Sequence, residues 1–412
     1  MGLFSKLWRS RREPDPAEAE ARLDELLGVL LDGGDTGTVL QALDENLEAL
    51  LARGRGREVD QLIARVDGDL SPDVWSAPDR LAQLAGLHYR LPGDRATRCR
   101  RALELWEQAL EGHRQAGTSE GQGTILGRLG QVHVELGVTD PEEYRRAIPL
   151  LEEALARLEN GEVASRAALR RSLGDAYAGL SEPGPDHLEL AREQFGQALS
   201  LCEQAGATFE QAGVEARLGD VHLQLMALHG PELLAPALGH YSRAAALYAR
   251  GQRPLEAASC HERAAAAHLS VSAGPDEHLA AAMQAYGQAL AAYDDSGHAV
   301  EAARVRTRLA AGHLAGPDAG NPEVMQVALD HYLTAMRTFE ERGMESERAL
   351  VLRGLARIYL SPGASPQDVD QGVRLLEEAA DYYSGANLSA EYQAVHEQLR
   401  RARGLRARST PP

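Results

Sequence analysis

Leu173-Gly174-Asp175-Ala176-Tyr177 is the stretch on which the reading of this chain turns, because its slots recur at a fixed step. The Gly174 slot is filled by Ala85, Gly130, Gly174, Gly219, Ala265, Ala310 and Ala356, at steps of 44–46 residues. Three residues further on stands a ring each time: His88, His133, Tyr177, His222, His268, His313 and Tyr359. A constant period of this size is the sequence signature of a repeat array.

A second pattern keeps the same step. Ala-x-x-x-ring-x-x-Ala appears as Ala102/Trp106/Ala109, Ala191/Phe195/Ala198, Ala237/Tyr241/Ala244, Ala282/Tyr286/Ala289 and Ala328/Tyr332/Ala335. Leucine replaces the ring at Leu151 and Leu376. Spacings of four and three put these positions on one helix face. Each unit therefore holds a helix A with the Leu-Gly motif and a helix B with the ring. Pro141, Pro185, Pro231, Pro275, Pro322 and Pro366 mark the starts of helix B, where the missing N–H costs nothing. Gly117, Gly161, Gly206, Gly251, Gly297 and Gly343 mark its ends, where a left-handed residue is wanted.

The Leu-Gly-x-x-Tyr/His and Ala-x-x-x-Tyr/Phe-x-x-Ala motifs resemble the tetratricopeptide repeat family, over roughly 76–384. The unit exceeds the family's usual length of about 34 residues, and the early tryptophan of helix A is absent. The pattern is similar to the longer Leu-Gly-Asn type of repeat found in polarity and signalling adaptors. The resemblance implies an all-α fold, a right-handed superhelical solenoid of about seven antiparallel helix pairs. It also implies a concave surface, lined by helix A, that takes a protein or peptide partner.

The ends depart from the period. Residues 1–16 read as a basic and apolar tail, 17–70 as a helical N-terminal cap and 71–388 as seven repeats. Residues 389–403 read as a C-terminal capping helix and 404–412 as a disordered tail. Within the cap, Leu23 to Leu31, Leu40 to Leu51 and residues 57–66 show three helical patterns. Residues 1–12 combine Leu3, Phe4, Leu7 and Trp8 with basic side chains, and peripheral contact with an anionic membrane is the alternative to a frayed end.

Composition narrows the chemistry. Lys6 is the single lysine among 43 basic residues, so a Walker A loop and a buried Schiff-base lysine are both excluded. Cys99, Cys202 and Cys260 share no pairing or metal-ligand spacing. No His-Glu-x-x-His occurs, and no nucleophile–base pattern. The expectation is no enzyme, no cofactor and no metal. Reduced thiols, no apolar signal core and an arginine-rich composition read as a bacterial cytoplasmic protein. The net charge is −18, with +4 in residues 1–12 and +5 in 400–412. An acidic body argues against nucleic acid along the array.

One column of charge stands out on helix A. Arg128, Arg171, Arg217, Arg263, Arg308 and Arg353 lie two or three residues before the motif slot. In the register of the resemblance they line the concave surface, where guanidinium groups hold carboxylates bidentately. They are the candidate partner-binding residues, for a protein or peptide with acidic segments; the competing reading is a solvated face of ordinary ion pairs. Leu223, Leu269 and Leu314 are the apolar candidates next to them. The ring column reads as packing rings with polar tips rather than a metal or pH device. Function is thus expected to be a non-catalytic scaffold or adaptor. The alternative is a peptide-sensing regulatory solenoid that changes curvature. The oligomeric state is left open by the sequence.

Overall fold

The computed structural model describes residues 36–68, 77–180, 184–271 and 275–409. Among them the chain is all-α, with seventeen α-helices, one 3-10 turn and no strand, built as a helical-repeat solenoid. It divides into two compact units, Met1–Leu228 and His229–Pro412. The expected tail at 1–16 and the first pattern at Leu23 to Leu31 lie outside the described residues.

The first unit opens with α1 (Thr36–Ala52) and α2 (Gly56–Gly68). Three helix A/helix B pairs follow: α3 (Pro78–Arg90) with α4 (Arg95–Ala116), α5 (Ser119–Leu136) with α6 (Glu142–Arg157), and α7 (Val163–Ala178) with α8 (Pro185–Ala205). A further helix A, α9 (Thr208–His229), reaches the boundary. The second unit begins with Gly230 at a φ of 125° and the 3-10 turn Pro231–Leu233. Then come α10 (Leu234–Arg250), α11 (Pro254–Leu269), α12 (Pro275–Asp295), α13 (Ala299–His313), α14 (Pro322–Glu341), α15 (Glu345–Tyr359), α16 (Pro366–Gly385) and α17 (Ser389–Ser409). The boundary therefore falls between the helix A and the helix B of one repeat.

The periodic residues form the core. Trp106, Phe195, Tyr241, Tyr286 and Tyr332 are buried, as are the alanines on either side of each. Fully burying one such side chain contributes about 1.5–3 kcal/mol. Helix A comes close because its motif residue is small. A Cβ on Gly174 would stand 2.7 Å from the Phe195 ring, and one on Gly130 would stand 2.6 Å from Leu151. In the second unit Ala265 joins Tyr286, Ala282 and Ala289, and Ala310 and Ala356 join Tyr332, Ala328 and Ala335.

Helix starts and stops follow the proline and glycine pattern with exceptions. Asn321 accepts the Glu323 N–H at 2.9 Å, and Ser365 forms a capping box with Asp368. Pro231 opens the 3-10 turn, so α10 starts three residues late. Gly206 and Gly297 end their helices in the left-handed region, at φ 64° and 71°. Gly251 does not: it stays at φ −80°, and Gln252 takes the left-handed turn at 54°. Gly161 is not left-handed either. The last helix runs past Arg403, where the sequence pattern closed it, to Ser409. No proline interrupts it before Pro411, and a single Gly404 costs a helix only about 1 kcal/mol.

α1 and α2 meet the first repeat through charged as well as apolar side chains. Asp44 pairs with Arg90, Asp60 with Arg98 at 2.7 Å, and Asp67 with Arg101 at 2.9 Å. His88, in the ring column, reaches Asp67 at 3.3 Å. Every acid lies on the two leading helices and every base on α3 or α4. Leu40, Leu43, Leu47, Leu50, Leu62 and Ile63 supply the apolar part of the same contact layer and are buried. Burial alone would raise the Asp67 carboxyl, but the nearby His88 and the hydrogen-bonded Arg101 outweigh it and hold its pKa at about 2. Asp44 is raised instead, because burial outweighs the pull of Arg90.

Two predictions follow from this packing. Gly174→Ala should destabilise by about 1–3 kcal/mol, because Phe195 must move. Gly196→Ala and Gly287→Ala, on exposed helix faces with nothing within 4 Å, should stabilise by about 0.5–1 kcal/mol. Thermal melting of the three variants checks both signs; equal shifts would overturn the close-approach account. Asp67 is ionised in the folded state to a lower pH than its ordinary 3.8. Its stabilisation is therefore complete above pH 3.8 and disappears as pH falls toward about 2. Asp67→Asn should cost about 1–3 kcal/mol near neutral pH and flatten the stability profile in that acid window.

Candidate functional site

All six candidate arginines lie on helix A, three in each unit. In the first unit these are Arg128 on α5, Arg171 on α7 and Arg217 on α9. In the second they are Arg263 on α11, Arg308 on α13 and Arg353 on α15. Arg128, Arg217, Arg263 and Arg308 stand two residues before the motif slot. Arg171 and Arg353 stand three before it, about 100° further round the helix. The six are thus two registers rather than one column.

The first register is tied to the protein itself. Arg217 Nε lies 3.0 Å from Asp175 and its Nη1 lies 3.6 Å from Asp220. Asp175, the acid of the opening motif, raises the Arg217 pKa above its ordinary value. The Tyr144 ring sits against Gly137 and Gly179, and burial followed by Asp175 raises its phenol. Tyr144, Asp175, Arg217 and Asp220 therefore form one polar cluster across α6, α7 and α9. In the second unit Arg308 pairs with Glu262 and lies over the Tyr286 ring, 5.8 Å from its centroid. Glu262 also accepts the Tyr293 hydroxyl at 2.7 Å. Arg304 pairs with Glu347 at 2.8 Å. Arg128 is half-buried, and burial pushes its guanidinium down to about 10, with Arg90 adding to the effect. Arg263 is half-buried as well.

The second register differs. The Nε atoms of Arg171 and Arg353 are buried and have no hydrogen-bond partner. Arg171 lies near Cys202, whose thiol is raised to about 11 by burial and by Glu210, with Arg171 opposing. Both arginines are half-buried as residues. The apolar candidates split: Leu314 is buried, Leu269 is half exposed and Leu223 lies between.

Sequence reasoning found the arginines and took Asp175 for the i,i+4 partner of Arg171; Asp175 instead meets Arg217 of the next repeat. Asp175 and Asp220 follow their motif glycines directly and Glu262 precedes Ala265 by three, so the period carried that signal. The ring column is diverse. His133 Nδ1 meets Glu143 at 2.5 Å, Tyr177 donates to Glu152 at 2.8 Å, and His222 Nδ1 donates to the Leu218 carbonyl at 2.8 Å. His313 stacks on His331 with centroids 6.0 Å apart. Among the described residues no helix is long and apolar enough to cross a membrane, and no three His, Cys, Asp or Glu side chains gather as a metal centre.

Comparison with solved structures shows helical repeat folds of the tetratricopeptide kind. One is a signal transduction ATPase with numerous domains that carries a tetratricopeptide repeat sensor, from Pyrococcus horikoshii. It matches with a TM-score of 0.57 and 10% identity, over 93% of this chain and 56% of that one. This chain thus spans little more than half of that protein's length. Another is aspartyl phosphate phosphatase F from Bacillus subtilis, with a TM-score of 0.50 and 12% identity, over 90% and 94% of the two chains. At these identities the likeness is one of fold. No family model matches the chain, and no curated protein does.

The His313–His331 pair makes the stability of the second unit sensitive to pH. Burial lowers both imidazoles below their ordinary 6.5. His313 and Arg306 lower His331 further, against Asp330 and Asp294, and Arg306 is itself paired with Asp294 at 2.7 Å. The unfolded chain takes up these protons first, so stability should fall as the pH drops through 6.5. His331→Gln should reduce that slope in melting experiments between about pH 7.5 and 5.5; an unchanged slope would remove the pair as its source.

Proposed function

We propose that this chain is a non-catalytic scaffold or adaptor that binds a protein or peptide on the helix A surface. The observation that carries the reading is the pair of unmatched donors, Arg171 Nε and Arg353 Nε. A buried N–H without an acceptor costs about 1–3 kcal/mol, and it marks Arg171 and Arg353 as arginines that the protein's own carboxylates do not hold at that atom. Arginine and carboxylate side by side along helix A give the surface both signs of charge. α1 and α2 are proposed as the cap of the array, since Leu40, Leu43 and Leu47 cover the apolar side of its first pair.

A second reading rests on a different observation. The chain divides into two compact units inside one repeat, which favours a regulatory solenoid whose dimensions respond to a peptide. Solution scattering with and without bound peptide separates a rigid scaffold, with constant radius of gyration, from a responsive one.

The test of the main reading is partner capture from a lysate followed by affinity measurement on the recovered partner. Arg171→Ala with Arg353→Ala should weaken binding by at least about tenfold, a loss of about 1.4 kcal/mol. Arg217→Ala with Arg308→Ala, whose guanidiniums are already paired, should weaken it less. Arg401→Ala serves as the control. Unchanged affinity in the first double variant would end the reading of these arginines as partner-binding residues.

A further inference from the structure

One member of the ring column is unlike the rest. His268, at the end of α11, faces His278, in the first turn of α12, with Nδ1 to Nδ1 3.2 Å and ring centroids 5.5 Å apart. The neighbouring members are settled otherwise: His133 by a carboxylate, His222 by a carbonyl and His313 by a parallel stack at 11°. At His268 two imidazole nitrogens stand within reach of each other. A Zn–N bond of about 2.0–2.1 Å places two cis nitrogens about 2.9–3.4 Å apart, for angles between square and tetrahedral. The observed separation falls inside that range.

The surroundings suit an open chelate. Both rings are half-buried, which leaves room for water on the outer side. No carboxylate or thiol completes a third protein ligand among the described residues. Imidazole suits zinc, nickel and copper, rather than magnesium or calcium.

We propose that His268 and His278 form a two-imidazole chelate for a late first-row divalent metal ion, with water completing the coordination, that clips helix A to helix B within one repeat. The clip sits at the two ends of the α11–α12 connection. It binds the folded chain and not the unfolded one, so it stabilises by mass action. It is independent of the partner-binding surface.

The experiment uses the full chain without a histidine tag, freed of metal, with zinc, nickel or copper chloride as the probe. At about pH 7.5 the wild type should melt at higher temperature with metal than with chelator, and the gain should shrink near pH 5.5 as protons compete. Loss of an outer-shell partner alone costs about 10–100-fold in affinity, so His268→Gln or His278→Gln should cost at least about tenfold. His331→Gln should keep the full gain. The copper spectrum supplies a readout that does not depend on the variants folding: two imidazole nitrogens in the wild type. A wild type with no melting gain, a gain that survives both glutamine variants, or a copper signal with fewer than two nitrogens overturns the proposal. In that case the two rings share an ordinary N–H···N hydrogen bond.

Discussion

The contact between Gly174 and the ring of Phe195 is the constraint from which the rest of this fold follows. A hydrogen in place of a side chain lets helix A approach until the ring of helix B fills the space between them. Interiors packed to crystal density leave no room for adjustment at such a point. The alanines on either side of Phe195, Ala191 and Ala198, are fully buried for the same reason. Repeating that contact at 44–46-residue intervals is what makes the units alike. Where alanine stands in the slot, as at Ala265, the ring opposite is Tyr286 and the pair still closes.

Charge is organised differently from apolar packing. Helix pairs cohere through rings and alanines, whereas neighbouring repeats are tied by arginine–carboxylate pairs such as Arg217 to Asp175 and Arg308 to Glu262. Exposed pairs of this kind contribute little each, about 0–1 kcal/mol. Their role is better seen as orientation: they fix which residues of helix A are committed and which are left to meet something else. Arg171 and Arg353 are set apart by one residue of register, and that single step leaves their Nε atoms without acceptors. The leading helices use the same chemistry with one sign on each side, Asp44, Asp60 and Asp67 against Arg90, Arg98 and Arg101.

Much of the fold was legible because it rests on period. The slot residues, the rings of helix B and the prolines that start it can be read from spacing alone; the slots and rings are buried, and all the prolines but Pro141 and Pro231 begin an α-helix. What escaped depended on which side chains meet across a repeat. Asp175 was quoted in the motif, yet its pairing with an arginine 42 residues later is a matter of stacking, not of local pattern. The left-handed turn at Gln252 escaped because glycine beside it, Gly251, offered the better local signal. The continuation of α17 past Arg403 escaped because charge was read as disorder, while an arginine-rich segment is an adequate helix former. The arginine row was legible from spacing, including the one-residue offset of Arg171 and Arg353, whereas which acid each arginine meets was not.

The sequence separation of the contacts has a consequence for how the chain comes to its structure. The longest polar ties described, Asp44 to Arg90 and Glu262 to Arg308, join residues 46 apart. Each repeat therefore completes its contacts as soon as the next one exists. Loop-closure entropy stays small throughout, and topologies of this kind fold fast for their size. During synthesis the first helix pairs can close while the later ones are still being made, so little apolar surface waits exposed for a distant partner.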